Sequence, residues 1–323
     1  METCMILQIQ HETRFEYTDS VSEWLAEVRM EPVSDGQQCC HQFHLSTSQP
    51  ATLFRYQDGF GNRVHHFNLL APHRQVRVLA ASIVETSPPR RDAAASGATH
   101  PLSLDSAAPG LHGYLQFGGP VRATPRLAPV LDAVRPRPSE PVGVVVDRIR
   151  EFIHDRFEYA RAVTDVSSPI DDLLTQGKGV CQDFAHLMIG VLRSFGVPAR
   201  YVSGYIHRPN KESQSHAWCE AWLPDQGWVG VDPTNNCPAG DHFVRVAVGR
   251  DFTDVTPNKG VYRGKGQESV SVRVETRALE RVPSLSWQEE LPPLDVPLTV
   301  LHQRRRFNWW QSNGLEQEQQ QQQ

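Results

Sequence analysis

Residues 177–198, GKGVCQDFAHLMIGVLRSFGVP, constrain the fold more than any other stretch of this chain. Apolar side chains recur at Phe184, Leu187, Met188, Val191, Leu192 and Phe195, in steps of three and four that share one helix face. Gly196 and Pro198 then stop the helix. Such a face must be covered, and the following residues supply strand-like runs at 199–207, 215–223, 227–232, 242–248 and 268–276. Upstream, Val146, Ile149, Phe152, Ile153 and Phe157 mark a second helix. Helices first and strands after predict an α+β unit in which a helix packs on an antiparallel sheet.

A different pattern precedes it. ILQIQHETRFEY and RQVRVLAASIVET are rich in β-branched and aromatic residues, and DGFGN sits as a turn between two further strand-like runs. Residues 1–88 therefore read as an antiparallel β-sandwich or partial barrel. The Pro-, Ala- and Ser-rich stretch 89–109 reads as a linker, and 110–278 as the α+β domain. A Pro-rich tail ending in glutamines, 279–323, is expected to be partly disordered.

Composition removes several function classes. The net charge is −5 and the basic residues are scattered, which excludes a nucleic-acid stripe. No apolar run is long enough for a bilayer, and the N-terminus lacks the features of a signal peptide. The six cysteines, at 4, 39, 40, 181, 219 and 237, include no CxxC pair. We expect free thiols, a reducing compartment and a cytoplasmic location. Cys181, Cys219, Cys237 and His216 have no close ligand pair, so no metal or other cofactor is expected.

Cys181 stands in the first turn of the predicted helix, after Gly177 and Gly179. The helix N-terminus favours a thiolate, and its unpaired amides can receive an oxyanion. Free cysteines are also often buried small hydrophobes, so position alone leaves both readings open. A nucleophile needs a base and a group that orients the base. SHAWCEAWLPDQGWVGVDPTNN, residues 215–236, reads as a hairpin with His216 near the start of one strand and Asp232 near the end of the other. An odd loop, Asp225-Gln226-Gly227, would set Ala221 opposite Val231 and Glu220 opposite Asp232. His216 and Asp232 would then share a face; an even loop would separate them unless a bulge intervened.

Together, GVCQDFAHLMIGVLRSFGVPARYVSGY, SHAWCEAWLPDQGWVGVDPTNN and DHFVRVAVGRDFTDVTPNKGVYRG resemble the bacterial transglutaminase-like family, within the papain-like cysteine enzymes. The resemblance covers about residues 105–275, and the preceding β segment is similar to the β-domain of those proteins. It implies a papain/transglutaminase-like core with Cys181 as nucleophile, His216 as base and then acid, and Asp232 as the group orienting His216. Cys219 stands where the family usually has an apolar residue; it faces away from His216. Gln182 and the Tyr159 hydroxyl are further candidates for oxyanion support, and Trp218 for lining the cleft.

The expected activity is acyl transfer from a peptide or side-chain amide through a thioester. Hydrolysis is slightly favoured over protein-glutamine transamidation, because no amine-binding feature is visible. A catalytically inert binding module on the same fold is the remaining alternative. The expected partner is a peptide or protein substrate, with no nucleic acid and no membrane; oligomeric state is not legible.

Overall fold

The computed structural model describes residues 4–88, 93–103, 109–161, 163–165, 168–209, 214–283 and 299–301. The expected linker and tail therefore lie partly outside the described residues. The first half is organised by β1 (Met5–Val28), a strand long enough to serve two ladders. Its first half pairs antiparallel with β5 (His73–Thr86), which in turn pairs with β2 (Gln38–Thr47). Its second half pairs with β4 (Arg63–Leu69), flanked by β3 (Phe54–Gln57). The register breaks between Glu16 and Val21, and this irregularity lets the strand pass from one ladder to the other. Phe15, Val21, Trp24, Val28, Phe67 and Val78 fill the core enclosed by the two ladders.

The α+β unit begins with α1 (Ala128–Ala133) and α2 (Val142–Arg156). A two-stranded parallel pair, β6 (Glu158–Tyr159) and β7 (Lys178–Gly179), brackets α3 (Ile170–Gln176) and leads into α4 (Cys181–Ser194). Then come β8 (Ala199–Ile206), β9 (Gln214–Leu223), β10 (Gly227–Asp232), β11 (Cys237–Pro238) and β12 (Phe243–Gly249). They form one antiparallel sheet in the order β11-β10-β9-β8-β12. The one-turn helix α5 (Phe252–Val255) follows.

α4 is buried on every side rather than along a single face, from Gln182 to Arg193. Leu187, Met188, Val191 and Leu192 are fully buried, each contributing about 1.5–3 kcal/mol through removal from water. The sheet covers one side of the helix, and α2 and α3 cover the other. A helix enclosed in this way holds the backbone at its N-terminus still, which is what the site requires.

The structure differs from the expected 110–278 unit at its C-terminal end. β13 (Asn258–Arg263) and β14 (Glu268–Leu279) both pair with β1, not with the sheet under α4, and β15 (Thr299–Leu301) extends the β14 edge. Alternation identifies a strand, but the edge it joins depends on which ladder is left open. Here β1 offers an edge that takes a twelve-residue register from Ile6↔Leu279 to Tyr17↔Glu268.

Polar contacts lock the two halves together. Asn62 exchanges two 2.8 Å hydrogen bonds with the backbone of Val248. The Gln38 side chain donates to Arg245 O and accepts from Arg245 N. His11 Nδ1 lies 2.8 Å from the Tyr205 hydroxyl, both of them buried.

Candidate active site

The β9–β10 hairpin is built on a three-residue loop, Pro224–Asp225–Gln226, one residue earlier than expected. Gln226 N donates to Leu223 O and Gly227 follows at φ 74°, the arrangement of a type I turn closed by a left-handed residue. The observed register sets Val229 opposite Ala221 and Val231 opposite Cys219. Continued by one residue, it places Asp232 opposite Trp218 instead of Glu220. Both loops are odd, so the two-residue change in register leaves side-chain parity intact. His216 and Asp232 share a face.

The contact is made: His216 Nε2 lies 2.7 Å from Asp232 Oδ2. Asp232 is fully buried, and its other oxygen accepts from the amides of Thr234 (2.8 Å) and Asn235 (3.2 Å). The Cys181 sulfur acts on the same imidazole and helps to hold its proton. With Nε2 facing Asp232, Nδ1 is the ring nitrogen left for the sulfur. Cys181, His216 and Asp232 are thus brought together, and Cys181 alone of the three is partly exposed.

Charge in the site follows from these contacts. Burial by itself would depress the imidazole. The Asp232 hydrogen bond, then the thiol hydrogen bond and the charges of both partners, outweigh it and raise His216 to about 10. Burial pushes the Asp232 carboxyl up, but the His216 hydrogen bond and charge, with help from Asn235, hold it below the usual carboxylate range. At neutral pH the histidine is an imidazolium, between the Asp232 carboxylate and the Cys181 sulfur.

Trp218 is buried, and it lines a small cavity with Glu220, Phe243 and Arg245. Its ring stacks on His216, with centroids 6.1 Å apart at 24°, and meets Phe243 edge-on at 5.2 Å. Phe243 also touches the imidazole, at 6.0 Å. The two aromatics fix the ring plane of His216. Cys219 faces away from His216 and is buried against the α4 side of the sheet. Gln182 is buried in the first turn of α4, beside the thiol.

The glycines before Cys181 serve the chain itself. Gly177 takes φ 72° to end α3. A side chain on Gly179 would come within 2.8 Å of Asp183 Oδ2. That oxygen accepts from Val180 N (2.8 Å) and Thr164 Oγ1 (2.6 Å), so Asp183 caps the N-terminus of α4 that Val180 cannot cap. Burial raises the Asp183 carboxyl, against these two hydrogen bonds. Tyr159 pairs with Gly179 across the parallel ladder and is half-exposed at the rim. Burial raises its hydroxyl, and the charge of Cys181 adds to the effect.

Asn235 is the functional residue that spacing alone does not single out. Its carboxamide nitrogen donates to Asp232 Oδ2 and lies 3.2 Å from His216 Nε2, while its oxygen accepts from Arg208. The signal was present in DPTNN: an aspartate that ends a strand accepts the amides two and three residues on, which turns Asn235 back over the carboxylate. Among the described residues, no group of His, Cys, Asp and Glu is arranged to hold a metal ion.

Comparison with known proteins agrees with this architecture. Residues 134–233 match the transglutaminase-like superfamily, and residues 7–85 match the bacterial transglutaminase-like N-terminal region. An uncharacterised protein of Mycobacterium leprae is 35% identical over 283 residues, covering 84% of this chain and 99% of that one. A protein-glutamine gamma-glutamyltransferase of Pseudomonas aeruginosa is 32% identical over 130 residues, 36% of this chain and 19% of that protein. The solved structure of a candidate cysteine protease from Cytophaga hutchinsonii superposes with a TM-score of 0.73 at 20% identity, covering 89% of this chain and 95% of its own. That likeness carries the fold across both halves of the molecule. The chain belongs to the bacterial transglutaminase-like family.

Proposed function

We propose that the protein is a thiol-dependent acyl-transfer enzyme that cleaves a peptide or side-chain amide through a thioester on Cys181. The observation that carries this reading is the 2.7 Å His216–Asp232 contact, on an imidazole whose proton the nearby Cys181 sulfur also helps to hold. The sulfur attacks the carbonyl carbon as an anion, its proton carried by His216. The amide N–H groups of the first turn of α4, with Gln182 as a further donor, receive the tetrahedral oxyanion. His216 gives its proton to the departing amine, and a thioester remains. A water molecule then loses a proton to His216 and attacks the thioester, which releases the acid and restores the ion pair.

Water is the default acceptor, because an amine prevails only in a site that excludes it. The partial match to a protein-glutamine gamma-glutamyltransferase supports transamidation as the second reading. Incubation with a peptide library followed by intact-mass analysis decides between them. An acyl adduct on Cys181 that decays in water supports hydrolysis; decay only with added amine supports transamidation. Absence of any adduct, together with slow iodoacetamide labelling of Cys181 at pH 6 matching that of exposed Cys4, would leave a binding module. The six free thiols fit a reducing compartment, and we extend the reading to a cytoplasmic location.

A further inference from the structure

Helix α2 carries two side chains that reach across to the turn between β10 and β11. Arg150 Nε donates to Asn236 Oδ1 at 2.8 Å, and one helical turn further on His154 Nδ1 lies 3.2 Å from Thr234 O. The other arm of the guanidinium is fixed too, since Nη1 donates to Asp147 Oδ1 at 2.6 Å on the same helix. Arg150 is therefore held at both ends of its fork, with its side chain only 14% exposed. A planar guanidinium that spans two acceptors imposes a geometry on both.

The turn it grips belongs to the site. Residues 233–236 link Asp232 to Cys237, its cross-strand partner. Asn236 closes the turn at φ 51°, a left-handed conformation that asparagine tolerates better than most side chains and still adopts at a cost. Its carboxamide oxygen is the atom that Arg150 holds. Just before it, the amides of Thr234 and Asn235 donate to Asp232 Oδ1. The Asn235 carboxamide covers Asp232 Oδ2 and His216 Nε2. A shift of the turn would move all these donors off the carboxylate together.

α2 is joined to the other half of the site as well. Its Val145, Val146, Ile149 and Ile153 are buried in one core with Phe184, Leu187 and Met188 of α4, the helix that begins at Cys181. One helix thus packs against the element carrying the nucleophile and grips the turn carrying the carboxylate.

We propose that Arg150 is a positioning residue for acyl transfer: it pins the 233–236 turn to α2 and so keeps Asp232 and Asn235 in place on His216. The proposal rests on the thiol mechanism above and adds to it a residue that acts from outside the triad.

The test follows iodoacetamide labelling of Cys181 in the full chain by mass spectrometry, with exposed Cys4 as the internal reference. Arg150→Met keeps an apolar stem and removes every donor. It should slow Cys181 about three- to tenfold at pH 6 and approach the wild-type rate by pH 9, where a thiol ionises without assistance, while Cys4 stays unchanged. Asn236→Gly allows the left-handed turn and removes the acceptor, so it should give the same profile. It leaves α2 whole and decides the matter even where the Arg150 variant does not fold. The double variant should be no slower than the slower single one, because both break one contact. Wild-type profiles in the single variants, a slowing that is equal at all pH, or losses that multiply in the double variant would overturn the positioning role. Wild-type Cys181 no faster than Cys4 at pH 6 would instead refute the thiol mechanism, and the positioning role with it.

Discussion

Asp232→Asn is the sharpest perturbation, because the carboxylate is fully buried and its hydrogen bond does most to raise His216. The rise from the ordinary 6.5 to about 10 corresponds to roughly 5 kcal/mol in favour of the imidazolium, net of the burial that Asp232 and Cys181 together outweigh. Asparagine preserves the shape and removes the charge. Burial, which pulls the imidazole down, is then opposed by the thiol alone. His216 becomes neutral near pH 7 and no longer holds the proton away from the sulfur. With His216 protonated up to about 10, iodoacetamide should label Cys181 in the wild type faster than exposed Cys4 at pH 6. In Asp232→Asn it should climb about tenfold per pH unit between 6 and 8, as for an unassisted thiol with a pKa of about 8.5. The rate should therefore fall most at the acid end. A flat profile in the variant would refute the argument, because it would mean that Asp232 does not set the charge of His216.

The same linkage governs stability. His216 has a raised pKa, so its contribution is complete below the unfolded value of 6.5 and fades as pH rises toward about 10. Asp232 is depressed, so its contribution is present above the ordinary carboxylate value of about 3.9 and is lost on acidification below it. The stability gap between wild type and Asp232→Asn, read from urea midpoints, should be widest between about pH 4 and 6.5 and shrink toward pH 10. Gly179→Ala drives a methyl against Asp183 and Leu173 and should cost about 1–3 kcal/mol, with slower Cys181 labelling as the cap on α4 is displaced. A variant as stable as wild type would show that the β7–α4 junction yields freely. His11→Ala leaves the Tyr205 hydroxyl buried without its partner and should cost about 1–3 kcal/mol in urea unfolding. Burial holds His11 at about 4, below its unfolded 6.5, so at pH 6 only the unfolded wild-type chain takes up a proton there, and the cost should be smaller at pH 6 than at pH 8.

Periodicity placed α4 and the strands of its sheet to within a residue or two, because apolar spacing is a local property of the chain. It could not say that α4 is enclosed all round. Asp183, His186 and Arg193 interrupt the stripe, yet all three are buried. Each is accommodated by polar partners distant in sequence: Asp183 by Thr164, His186 by the Phe252 amide, and Arg193 by the carbonyls of Gln116 and Arg250. Those partners are invisible until the chain has folded.

The candidate site divides in the same way. Cys181 at a helix start, and His216 and Asp232 on one hairpin, followed from residue spacing, and the odd loop made their shared face a matter of parity. A two-residue error in register did no harm, since side-chain direction repeats every two residues. The positions of Asn235 and of Arg208, which holds it, depend instead on how loops return over the sheet. The partner of β14 depends on which edge of β1 remained open. Sequence by itself determined what lies within one helix or one hairpin, where geometry is periodic. Tertiary structure alone decided which charges meet, how far burial shifts them, and that a carboxylate holds the proton on His216.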